Sequence, residues 1–429
     1  MTTIAINPPK SKWPELLERP AFDTESLDGV VGRILSEVRL AGDEAVLAYS
    51  KQFSGFAPQS LWVTPEEIRE SGSLLPGDLK QAISLAKKNI EKFHRAQVRP
   101  VHKVVTTEGV TCWRKNLPVE RVGLYIPGGS APLFSTLLML AIPARIAGCE
   151  EIVVATPAQK DGSVHPAILY AAQLLGVDRI YKSGGAQAIG ALAYGTPSLA
   201  KVQKIFGPGN QYVTCAKKLV NREGVAIDML AGPSELAVFA DESCIPEFVA
   251  ADLLSQAEHG ADSQVVLVAT KRKIIDEVIK QIHIQLPALE RKNIVEESFL
   301  HRRLIVLHQE KQAFEFLNAY APEHLIIASA EAARLSGYVR NAGSVFLGNL
   351  SPESAGDYAS GTNHSLPTGG TALTYSGVSV DSFVKKVTFQ QLTRKGIKHI
   401  GPAVMAMAEA EGLGAHRNAV GIRLKKLKK

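Results

Sequence analysis

Two doubly wound, Rossmann-like α/β domains, with short and mainly helical N- and C-terminal segments, are the fold class this chain predicts. Short apolar runs alternate with helical patterns across residues 121–238, a second series of the same kind begins at Leu236, and neither end of the chain carries such alternation. A length of 429 residues also exceeds what one hydrophobic core usually organises.

Taken in order, residues 1–20 read as an N-terminal arm. Residues 30–50 and 76–95 are helical in pattern and are expected to pack onto the second series, so that 21–120 join 235–381 in one domain. Residues 121–234 form the other domain, with strands expected at 122–126, 152–155, 180–182 and 204–206, each followed by a Gly- or Pro-bearing turn and a helix. The second series places strands at 236–240, 264–269, 304–307, 325–328 and 344–347, separated by helices at 246–258, 271–285 and 311–320. Residues 382–429 show no strand alternation, and their helix at 402–411 stops at Gly412.

Composition narrows the function. With 45% hydrophobic and 21% charged residues the chain has the balance of an ordinary soluble globular protein. The most apolar stretch, 133–146, contains Pro143 and Arg145 and is too short to cross a membrane. The N-terminus has no export-signal pattern, so a cytoplasmic location is expected. Cys112, Cys149, Cys215 and Cys244 are scattered without a Cys-x-x-Cys pair and read as buried thiols. A net charge of +6 and a basic tail at 423–429 come without zinc-finger spacing or an aromatic-interleaved basic motif, which argues against nucleic acid as a partner.

The chemistry concentrates elsewhere. Gln256 and His259 stand three apart at the end of a helical pattern, a spacing that puts both on one face and makes half of a metal site. Pro322-Glu323-His324 enters a strand. Segments 354–364 and 411–416 gather Asp357, His364, Glu411 and His416 beside glycines. Gly-rich turns at 127–129, 184–187 and 207–210 could hold phosphate on helix N-terminal amides, although neither G-x-G-x-x-G nor G-x-x-x-x-G-K-[ST] occurs.

These segments, together with 121–133, 206–210 and 231–235 in the same order, resemble histidinol dehydrogenase, the zinc- and NAD-dependent family that completes histidine biosynthesis. The resemblance covers nearly the whole chain and implies a four-electron oxidation of L-histidinol to L-histidine through L-histidinaldehyde. It implies one Zn2+ per subunit on Gln256, His259, Asp357 and His416, with Glu323 and His324 as the acid–base pair. By the same resemblance Ser234, His364 and Glu411 contact substrate alongside the metal-site residues and His324, and Tyr125, Gln187 and Asn210 contact NAD. It further implies an intertwined homodimer with shared active sites, the C-terminal segment reaching into the partner's cleft. In chemical terms, His324 suits the alcohol proton and Glu323 the activation of water for the aldehyde step.

A zinc-dependent hydrolase, in which Glu323 activates a metal-bound water without a cofactor, is the alternative from another reaction class. An aldehyde dehydrogenase working through a thiohemiacetal would need a reactive cysteine, and none of the four lies in a segment resembling one. A binding protein on the same scaffold would predict loss of site residues that are all present.

Overall fold

The computed structural model describes residues 4–20, 24–128, 132–229 and 232–427. Gly129 of the first glycine turn and Ala231 lie outside them. Among the described residues the strands are, in chain order, β1 (Ile4–Ile6), β2 (Lys103–Thr107), β3 (Val110–Pro118), β4 (Arg121–Tyr125), β5 (Glu151–Thr156), β6 (Arg179–Lys182) and β7 (Lys204–Phe206). They continue with β8 (Ala226–Ile227), β9 (Glu235–Ala240), β10 (Gln264–Ala269), β11 (Arg303–Val306), β12 (His324–Ala328), β13 (Ser344–Leu347) and β14 (Val384–Leu392).

Two of the three sheets are parallel and share one winding. The first runs β6-β5-β4-β7-β8 and the second β1-β11-β10-β9-β12-β13. In each, the chain lays three strands outward to one side and then returns to lay two on the other. This is the doubly wound order, whose reversal point leaves a crevice between the two central strands. Strands β9 and β10 are buried along their entire length, as expected of parallel strands covered on both faces.

The helices 24–95 correct the expected domain grouping. Thr24–Ala41 and Asp43–Ser54 join Gly185–Tyr194 and Gln211–Arg222 on one face of the first sheet, through Val31, Ile34, Leu35, Val38 and Val46. Gly77–Arg95 packs with Phe134–Ala147 on its other face, through Ile83, Ala86 and Ile90. Their apolar stripes were readable, but a stripe does not name the sheet it meets. The arm, in contrast, belongs to the second sheet: β1 pairs with β11, and Trp13 stacks edge-on against Phe316 at 5.3 Å.

A third, antiparallel sheet, β14-β3-β2, was not anticipated, and β14 corrects the expectation that residues beyond Ser382 lack a strand. Its strands are largely exposed and carry polar residues on both sides, so they offer no apolar alternation to read. The helix expected at 402–411 starts earlier, spanning Arg394–Ala410, because the Thr393 side chain accepts the Gly396 N–H and caps it there. It stops just before Gly412, whose φ of +72° suits glycine.

Candidate active site

The two sheets meet end to end. The carboxyl ends of β4 and β7 lead into the turns at Gly128 and Gly207–Gly209. On the other side, Ser234 precedes β9 and Glu323-His324 opens β12 at the amino ends of neighbouring strands, where His324 pairs with Leu236. A cavity of about 210 Å³ lies between them. Ser234, His259, Glu323, His324, Asp357 and His364 line one side, and Thr136, Gly207 and Pro208 the other.

Glu323 is buried and already oriented. Its Oε2 accepts the Ser234 hydroxyl at 2.6 Å and the Glu235 N–H at 3.0 Å. Burial nonetheless holds its pKa well above the usual carboxylate range, outweighing these hydrogen bonds, and the charges of Glu235 and Asp357 push the same way. His324 is 3% exposed, and neither ring nitrogen has a hydrogen-bond partner of ordinary geometry. Burial, reinforced by the neighbouring imidazole of His259 and more weakly by His364, pushes it down to about 3, against an upward pull from the Glu235 backbone. The ring is therefore neutral near pH 7, with a lone pair free to take a proton.

His364 is fixed on both sides, Nδ1 lying 2.9 Å from the Asp357 carbonyl oxygen and Nε2 3.2 Å from Thr136 Oγ1. Burial lowers it to about 4. Because Thr136 belongs to the helix Phe134–Ala147 packed on the first sheet, this imidazole bridges the two halves of the cavity.

Gln256 and His259 lie at the end of the helix Pro246–Ala257, but the helix stops one residue before Glu258, and His259 is carried on the following turn with its N–H donating to the Gln256 carbonyl. Gln256 is fully buried, and neither its amide oxygen nor its amide nitrogen has a partner. Ligand atoms of His259, Glu353 and Asp357 lie within 4.8 Å of one another. Burial raises the half-buried Asp357 to about 7, and the protein packed around the otherwise exposed His259 lowers it, reinforced by the charge of Arg291. An orphaned amide oxygen, an imidazole nitrogen and carboxylates brought this close fit a divalent ion that takes mixed N and O donors, zinc among them. His416 and Glu411 are not brought to this cavity by their own chain: they sit exposed at the junction of the helices Arg394–Ala410 and Gly414–Lys426.

The residues expected to meet NAD surround the reversal point of the first sheet. Tyr125 ends β4 and its hydroxyl accepts the Gly185 N–H at 3.0 Å. Gln187 is buried in the first turn of the helix Gly185–Tyr194, with its amide oxygen unpartnered. Asn210 caps the helix Gln211–Arg222, its side chain accepting the Tyr212 and Val213 N–H groups at 3.1 Å each. The turn before it has no room for a side chain: at Gly207, with φ +120°, a Cβ would strike the Tyr125 carbonyl oxygen. Lys217 and Asp228 hold this turn from below, Lys217 Nζ donating to the Gly207 carbonyl at 2.9 Å and Asp228 accepting the Gly207 N–H at 2.8 Å.

Two carboxylates, Glu353 buried and Asp252 half-buried, escaped the sequence reading. Glu353 opens the helix Glu353–Tyr358 one turn before Asp357, and Asp252 lies one turn before Gln256. Burial raises Asp252 to about 7, while the Glu353 backbone N–H that it accepts pulls the other way. The i, i+4 spacing to an expected ligand was the available signal in both cases. No cysteine lines the cavity. Cys149 and Cys215 are buried, Cys112 and Cys244 only half-buried. Burial pushes Cys149, Cys215 and Cys244 up to about 11, away from thiolate nucleophiles.

The histidinol dehydrogenase family model matches residues 17–424. The histidinol dehydrogenase of Bacteroides thetaiotaomicron is 57% identical over 421 residues, 98% of each chain. A crystal structure of histidinol dehydrogenase from Elizabethkingia anophelis superposes with a TM-score of 0.97 at 52% identity, covering 99% of this chain and 98% of that one. An acetylating aldehyde dehydrogenase from Geobacillus thermoglucosidasius shares the fold at 15% identity and a TM-score of 0.50, covering 90% of this chain and 95% of that one. A family match spanning almost every residue, on a chain whose expected acid–base pair and three cavity-lining imidazoles converge, leaves one conclusion: the chain belongs to the histidinol dehydrogenase family.

Proposed function

We propose that this chain oxidises L-histidinol to L-histidine through L-histidinaldehyde in the cytoplasm, passing two hydrides to two molecules of NAD. The observation that carries this reading is the pairing at the cavity wall of a neutral, unpartnered His324 with a Glu323 aimed by Ser234 and the Glu235 N–H. His324 takes the hydroxyl proton as the first hydride leaves the carbinol carbon. Glu323, in the second half-reaction, takes a proton from the water that adds to the aldehyde carbon. Burial raises its pKa, so the ionised carboxylate is a stronger base toward that proton than an ordinary one. Ser234 and His364 would contact the amino alcohol from opposite sides of the cavity.

Gln256, His259 and Asp357 would hold a Zn2+, with the partner subunit's His416 as a further ligand and the partner's Glu411 meeting the substrate imidazole. The bound ion would anchor the substrate's amine and imidazole nitrogens and so fix the reacting carbon. Tyr125, Gln187 and Asn210 would seat the nicotinamide cofactor, which accepts the hydride. A homodimer is supported by the exposure of Glu411 and His416, away from the cavity of their own chain. Counting NADH formed per histidinol consumed tests the proposal. Two are expected; a zinc hydrolase would form none.

A further inference from the structure

We propose that Glu353 is a positioning residue for His324, accepting the Nδ1–H so that Nε2 presents its lone pair to the cavity. The proposal rests on the reading of His324 as the base and adds the group that selects its tautomer.

Three carboxylates approach the ring. Glu353 Oε1 lies 3.4 Å from Nδ1, Glu323 Oε2 lies 3.7 Å from the same nitrogen, and Asp357 Oδ1 lies 3.7 Å from Nε2. Of the two on the Nδ1 side, the Glu323 oxygen already accepts from Ser234 and from the Glu235 N–H. Glu353 is 1% exposed, and both of its oxygens lack a hydrogen-bond partner. A buried carboxylate without a partner beside a buried imidazole nitrogen without a partner is costly on both sides unless the two meet. Catalytic hydrogen bonds are commonly long before substrate is bound, and 3.4 Å is a separation that a small rotation of either side chain closes.

The surroundings keep Glu353 in place. The start of the helix Glu353–Tyr358 lies beside the Asp252 carboxylate of the helix carrying Gln256, close enough for the Glu353 backbone N–H to pull its pKa down. Phe346 lies beside the imidazole with ring centroids 6.0 Å apart. A neutral imidazole is donor at one nitrogen and acceptor at the other. A fixed acceptor at Nδ1 therefore leaves Nε2, the nitrogen on the Asp357 side, as the proton acceptor. Of the two carboxylates on the Nδ1 side, Glu353 is the one whose oxygens, among the described residues, lack a hydrogen-bond partner.

Glu353 also belongs to the group with His259 and Asp357 that could hold a metal ion, so the experiment separates the two roles. Glu353→Gln keeps the shape but can turn its amide N–H toward Nδ1 and favour the wrong tautomer. Steady-state oxidation of histidinol should show kcat lower by on the order of 10²-fold, KM for histidinol within about twofold of wild type, and metal content unchanged. Glu353→Asp should recover part of the lost kcat. Because Glu353 acts through His324, adding Glu353→Gln to His324→Asn should cost nothing further. Loss of bound metal in Glu353→Gln would overturn the proposal in favour of a metal ligand, and an additive effect in the double variant would overturn it in favour of a separate role. An impaired His324→Asn beside an unimpaired Glu353→Gln would refute the proposal alone, whereas an undiminished His324→Asn would refute the base assignment beneath it.

Discussion

Ser234 and Glu323, 89 residues apart in sequence, meet through a 2.6 Å hydrogen bond that sets the carboxylate against the cavity wall. Expected from the resemblance as a substrate contact, Ser234 in this structure hydrogen-bonds to Glu323, the group proposed to activate water. Ser234→Ala should slow the aldehyde step by roughly 10-fold or more, the size of a hydrogen bond to a charged group, and change the alcohol step less. Rates with histidinol and with histidinaldehyde supplied directly measure the two steps separately. Equal losses in both would assign Ser234 to substrate binding alone.

Glu323→Gln should retain most alcohol oxidation and lose the aldehyde step by about 10²–10⁴-fold, because an amide cannot deprotonate water. His324→Asn should be impaired with the alcohol. Oxidation of histidinaldehyde by Glu323→Gln at the wild-type rate would transfer the water-activating role elsewhere.

His259→Asn should lose most of its bound divalent ion by metal analysis, and unchanged occupancy would remove His259 from the ligand set. If His416 acts across the dimer, mixing inactive His259→Asn with inactive His416→Asn subunits should restore part of the activity, since one site in each mixed dimer is then intact. No recovery after demonstrated subunit exchange would place His416 in the site of its own chain.

The Lys217–Asp228 pair is buried on both sides, each side chain 3% exposed. Lys217→Met leaves Asp228 buried and uncompensated and should cost about 3–5 kcal/mol, whereas replacing both residues with apolar ones of similar size should cost less. Thermal unfolding of the single and double variants decides the matter. The single variant should also raise the KM for NAD, because the Gly207 turn loses its anchor.

His94 supplies a pH test away from the cavity. Its ring is fully buried, with Nδ1 2.8 Å from the Ile90 carbonyl oxygen, and burial holds its pKa below the ordinary 6.5. On acidification the unfolded chain takes up this proton first. The contribution to stability is therefore complete above pH 6.5 and lost as pH falls from there toward the folded value. His94→Gln should flatten that acid limb in denaturant unfolding followed between neutral and mildly acidic pH. An unchanged slope would exclude His94 as its source.

Much of this arrangement was legible in the chain because parallel strands buried on both faces read as plain apolar runs: 264–269 and 204–206 were expected to the residue. The convergence of Ser234, His259, Glu323, His324, Asp357 and His364 followed from motif resemblance, since no local spacing links residues 234 and 364. Glu353 was overlooked because a lone glutamate after a proline reads as a helix start, and only the tertiary structure buries it beside an imidazole. The small antiparallel sheet was missed because exposed strands such as Val384–Leu392 need no apolar face.

The second sheet carries its chemistry at the amino ends of β9 and β12, and this leaves its opposite rim free for other uses. There Asp241, Ser243, Ser329 and Asn349 tie the loops to one another through hydrogen bonds of their own, and Leu350 stands 85% exposed beyond them. A fluorophore, an affinity tag or an immobilising linker attached at the exposed Glu242 or Ser243 would sit the length of β9 away from Ser234 and the Glu323 carboxylate it holds, so the enzyme could be tethered or labelled there while its cavity stays untouched.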